Sequence, residues 1–266
     1  MKALFEHALF DFRDGIRNRH LLFLNYLFPL GLYLMLGSIM PGINPYFRDL
    51  MIPGMTIVAI LAATLLGLPE SLVNSRESGQ FRSYWINGVP AAAVLLVPVF
   101  TTLLHLAIVT VLIAISAPLL FAAPTPADWP AFIGICLVGA LTLAAIGLLI
   151  GVVSPNSRVA LLWSQLLFVP SFLVGGFMFP GRLLPPVARA LSHLMPATLI
   201  MDSLSASLPE ASGSSAPVLI LSCTGLAAFV LALYLFRWDR RYGTRHSPLW
   251  AFLALLPPLA GVFWLN

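Results

Sequence analysis

Five histidines, two cysteines and ten carboxylates are all the acid–base and metal-ligating capacity of this chain, and the sequence scatters them. His105 stands alone inside a long apolar run. Such a residue is more often hydrogen-bonded structure than a proton relay, which needs an acidic partner near it. Glu70 lies near one end of another apolar run, where its carboxylate can reach out towards water. Gln165 and Ser164 fall in a third. His193 precedes Asp202 by nine residues and Glu210 follows, a spacing that builds neither a metal site nor an acid–base pair. A phosphate-binding loop needs a lysine after its glycine-rich turn, and the only lysine is Lys2. The chain is therefore read as no enzyme, with no cofactor or metal of its own. Cys136 and Cys223 both lie in apolar runs, where they act as small packing residues and not as a disulfide framework.

The elements that would position these groups are set by composition. The chain is 59% hydrophobic and 9% charged, against about 25% charged in a soluble domain. Apolar runs long enough to cross a bilayer recur at Leu21–Met40, Leu50–Val73, Ala91–Phe121, Ala131–Val153, Val159–Phe179 and Pro217–Arg237. A weaker run, Leu249–Leu265, carries Pro257-Pro258 at its middle and is read as a seventh, kinked C-terminal span. Backbone groups in lipid must be satisfied within their own segment, and these lengths suit helices. The expected fold is an all-α membrane protein, a single transmembrane domain over 1–266.

The net charge of +4 reflects topology and gives no nucleic-acid signal. With the N-terminus in the cytoplasm, eleven of the 14 Lys and Arg fall inside, and only Arg48, Arg182 and Arg189 fall outside. That bias follows the positive-inside rule. Trp129, Trp238, Trp250 and Trp264 lie near span ends, at the depth where amphipathic rings gather.

Between the spans, residues 1–18 form an amphipathic interface helix. Leu4, Phe5, Ala8, Leu9, Phe12 and Ile16 recur at helical spacing, opposite Lys2, Glu6, Asp11, Arg13 and Asp14. Ser154 or Asn156 caps the helix after a tight cytoplasmic turn. Over 180–212, two apolar stripes bounded by Pro185-Pro186 and Pro196 predict two short re-entrant helices in the outer leaflet.

The most distinctive segment is the polar island at 74–90. Arg76, Glu77, Gly79 and Pro90 frame the cluster Phe81, Tyr84, Trp85 and Ile86, which presents aromatic rings and charge together at a membrane boundary. Solvated loops seldom carry so much apolar surface unless it meets something. This island resembles the cytoplasmic coupling helix of type-2 ABC exporter permeases, although Gln80 and Arg82 depart from the family's usual residues. A second resemblance to the same family lies in Phe172–Pro180, with Gly175, Gly176, Phe179 and Pro180, followed by Leu184-Pro185 and Met195-Pro196.

The resemblance implies a permease at a bacterial inner membrane, driven by a separate ATPase subunit that carries ATP and Mg. It implies a homodimer, or a pair with a similar permease, whose pathway is lined by spans two and five. Arg76, Glu77, Gly79, Phe81, Tyr84, Trp85 and Pro90 would couple to the ATPase. Gly175, Gly176, Phe179, Pro180, Pro185 and Pro196 would shape the exit gate. The substrate would be hydrophobic or amphipathic: a drug, a lipid or a lipid-linked glycan. An ion- or proton-coupled transporter or channel is the alternative, but such proteins keep charged groups at mid-membrane, and this sequence has almost none there.

Overall fold

A computed structural model describes residues 2–177, 185–206, 215–238 and 248–265. The described residues are almost entirely helical and include no strand. Among the described residues, helix α1 (Lys2–Arg17) leads into six helices long and apolar enough to cross a membrane. These are α2 (Arg19–Ile43), α3 (Met51–Glu77), α5 (Ala91–Phe121), α6 (Trp129–Val153), α7 (Ser157–Val174) and α10 (Ala216–Leu235). The short α4 (Gln80–Ile86) joins α3 to α5. Helices α8 (Pro186–Ser192) and α9 (Pro196–Ala206) lie between α7 and α10. A 3₁₀ stretch, Pro248–Leu255, continues into α11 (Leu256–Leu265).

The span expected over Ala91–Phe121 is the helix observed, because an unbroken apolar run bounded by Pro90 and the Ala122 turn leaves one solution. Asp128 caps α6 by accepting from the Ala131 amide at 3.0 Å, and Asn156 caps α7 by accepting from Val159 at 3.0 Å. The fifth span differs from its expected extent. Its helix stops at Val174, where Gly175 and Gly176 bend the chain and Gly176 takes a φ of +85°.

Helix α3 is the centre of the bundle. Almost all of its apolar length is buried, whereas only about a fifth of α7 is. The expectation that spans two and five together line a pathway thus meets one enclosed helix and one open face. Glycines on α6 let α3 come close: a β-carbon on Gly147 would lie 2.2 Å from the Thr64 carbonyl oxygen, and one on Gly151 would lie 3.1 Å from the Pro69 carbonyl oxygen. Small residues four apart are a standard device for bringing membrane helices into backbone contact. Opposite Gly147, α3 widens into a π-helical stretch over Ala62–Gly67, and α2 has another over Phe23–Leu27. The two stretches pack on each other.

Candidate coupling surface

The polar island folds as a sharp reversal at the end of α3. Arg76 and Glu77 complete that helix, and Gly79 follows with φ +80°, a left-handed conformation that side chains with a β-carbon disfavour. Gln80–Ile86 then makes two turns of helix. Gly88, at φ +71°, and the extended Pro90 turn the chain into α5.

Each side of α4 does something different. Phe81 is 5% exposed and packs with Leu68, Leu72, Val94 and Leu235, its ring 5.5 Å from that of Phe236. Tyr84 is half-buried, and its hydroxyl is held above the ordinary tyrosine range by burial and, secondarily, by the Asp11 carboxylate. Trp85 and Ile86 point away, 57% and 72% exposed, with Glu77 and Arg82 exposed beside them. One buried ring thus anchors a helix whose outer face offers an aromatic and an aliphatic side chain to whatever lies beyond the bundle.

Arg76 faces inward. Its guanidinium donates to the Val152 carbonyl at 3.0 Å and to the Ser154 carbonyl, tying the last turn of α6 to the end of α3. Beside it, Ser157 and Asn74 side chains bond at 2.8 Å. Replacing Arg76 with Met removes charge-assisted bonds to helix-end carbonyls and is expected to lower stability by about 1–3 kcal/mol. A thermal melt of the detergent-solubilised protein checks this; an unchanged midpoint would refute it.

At the same end, the His20 imidazole and the Glu70 carboxylate meet at 2.8 Å, so Glu70 has a partner on α2 that the sequence did not reveal. His105 also has one: its Nδ1 is 2.6 Å from the Tyr26 hydroxyl, which fits the structural reading of this residue.

At the opposite end, Gly175 and Gly176 form the bend, Pro185 precedes α8 and Pro196 opens α9. Phe179 and Pro180 lie outside the described residues. Helix α9 is packed among the spans, with Ala197, Leu199 and Ile200 buried and Ile200 seated against Gly139 of α6. The turn between α8 and α9 brings together the two residues whose spacing had offered no pairing: His193 Nδ1 is 3.4 Å from an Asp202 carboxylate oxygen. Burial raises the Asp202 pKa, and the neighbouring histidine opposes that shift.

Residues 9–208 match the family described as ABC-2 type transporter. The chain belongs to that family. The match runs from α1 through α9, so it contains both the α4 surface and the α8–α9 segment. No curated protein and no solved structure shows significant similarity to it. As a type-2 ABC transporter permease, this chain is an integral membrane component of a transporter. Permeases of this family pair with an ATPase subunit, which carries the ATP and Mg.

Proposed function

We propose that this permease moves a hydrophobic or amphipathic substrate, such as a drug, lipid or lipid-linked glycan, out of the cytoplasm. The observation that carries the coupling part of this reading is the face of α4. Trp85 and Ile86 stand exposed on a helix fixed from behind by Phe81, a convex aromatic knob suited to a groove on a soluble ATPase. Glu77 and Arg82 add charge around it. By the family analogy, two ATPase copies close on ATP and displace α4 together with α1, and the push shifts the bundle between two states. A second copy of the chain, or a similar permease, would meet the open face of α7, so that α7 lines the pathway and the enclosed α3 transmits the motion. Helices α8 and α9, with Gly175, Gly176, Phe179, Pro180, Pro185 and Pro196, would gate the exit. The charge bias supports a cytoplasmic N-terminus, and the family analogy supports a bacterial inner membrane.

The C-terminal segment fits a seventh span. Eight residues of 3₁₀ helix and ten of α-helix reach about 31 Å, close to the roughly 30 Å of a hydrocarbon core. The segment runs beside α10, with Ala254 buried in the cluster near Leu235 and Gly261 against Ile220.

The test is purification of the tagged protein from its native cells in mild detergent. A stoichiometric soluble ATPase is expected to co-purify, and Glu77→Lys is expected to break the link between hydrolysis and export while the protein still inserts. A permease that emerges alone would overturn the coupling reading.

A further inference from the structure

Four elements converge on a small cavity beneath α1, and the coupling surface does not use it. The cavity has a volume of about 30 Å³ and is lined by Asp11, Asp14 and Gly15 of α1, Asn25 of α2, Gly67 of α3 and Thr101 of α5, with His105 at its wall. Asn25 and Gly67 belong to the two π-helical stretches; such bulges recur at functional sites. The sequence expectation that His105 has no acidic neighbour does not hold, because α1 folds two aspartates onto the same cavity.

His105 is 2% exposed and occupied on three sides. Tyr26 bonds its Nδ1, the Phe12 ring stacks on the imidazole at 4.4 Å with 5° between planes, and Gly15 lies over Nε2. A β-carbon on Gly15 would stand 2.5 Å from Nε2, so only glycine lets α1 lie this close. The Nε2 atom itself is buried and has no hydrogen-bonding partner among the described residues. One turn away, the Thr101 hydroxyl donates to the Asp11 carboxylate, and Asp11 is also the carboxylate that acts on Tyr84 of α4.

We propose that the His105 ring, stacked on Phe12 and bonded to Tyr26, and the Asp11–Thr101 bond form a latch that holds α1 on α5, so that α1 and α5 move as one body. His105 and Asp11 are positioning residues: they choose which span receives a displacement of the surface helices. The inference rests on the coupling reading for its use, but the latch is testable without it.

Hydrogen exchange of the purified permease in lipid nanodiscs reads the latch directly. His105→Phe keeps the ring and loses both nitrogens, and Thr101→Val loses the hydroxyl. Each is expected to speed exchange of α1 amides over 9–17 by about tenfold and to leave α9 unchanged. Unaltered exchange in both variants would overturn the latch. The one-body claim is read with an Asp11→Cys/Thr101→Cys pair in a Cys136→Ala/Cys223→Ala background, assembled with the ATPase that co-purifies. The oxidised pair is expected to hydrolyse ATP at the unmodified rate. Arrest on oxidation, relieved by reductant, would show that the seam opens in each cycle and would overturn it. Absence of any co-purifying ATPase sinks the coupling reading, and the exchange result still decides the latch.

Discussion

Gly147→Leu is expected to keep the chain from reaching its packed state. The new side chain would enter the space held by the Thr64 carbonyl, 2.2 Å from where its β-carbon must sit. A flexible side chain could swing aside, but a backbone oxygen inside a helix cannot move without displacing α3, which is the centre of the bundle. Overpacking a well-filled core costs about 1–3 kcal/mol, and a clash with backbone lies at or above the top of that range. The variant should still insert, since α6 stays apolar, but should elute as aggregate and show no cooperative melt. Gly134→Leu on the same helix is the control, because a β-carbon there meets nothing within 4 Å. A normal melt for Gly147→Leu would mean that α3 and α6 are not in backbone contact.

The second large effect concerns association. Trp85→Ala is expected to weaken binding of the partner ATPase roughly thirtyfold, about 2 kcal/mol, the scale at which a single aromatic anchor carries an interface. Its exposure of 57% means that little intramolecular packing is lost, so the melting temperature should hold. Phe81→Ala gives the contrast. That ring is buried against Phe236, and its removal should cost about 3–5 kcal/mol of stability and weaken association only through the loosened helix. Binding measured by surface-immobilised permease separates the two. Equal affinity for Trp85→Ala and the unmodified protein would refute the knob-in-groove contact.

The number and order of the spans were legible because a bilayer tolerates only continuous apolar helices, and the runs are long. The reversal at Gly79 and the anchoring of α4 were legible in outline, since aromatic residues are conspicuous on a short polar island. Which face of each span is buried was not. Helices α5 and α6 and the Met51–Leu61 part of α3 are apolar all round, so no periodic contrast marks the side that packs, and Gly147 reads like any other glycine until Thr64 is seen against it. Pairings at long range were equally hidden. Tyr26 is 79 residues from His105, and Arg76 looks like a docking charge until the α6 carbonyls that receive it are known. His193 and Asp202 meet only because the turn before Pro196 folds α9 back.

The π-helical stretch Ala62–Gly67 has a consequence for insertions and deletions. A π-turn takes up about one residue more than an α-turn, so losing a residue inside 62–67 would leave the phase of Leu68–Glu77 nearly unchanged, whereas losing one between 68 and 76 would rotate Arg76 by about 100° away from the Val152 and Ser154 carbonyls. The heading of the polar island is thus set by the residue count after the wide turn, and a change of chain length is better absorbed within 62–67 than between that stretch and Arg76.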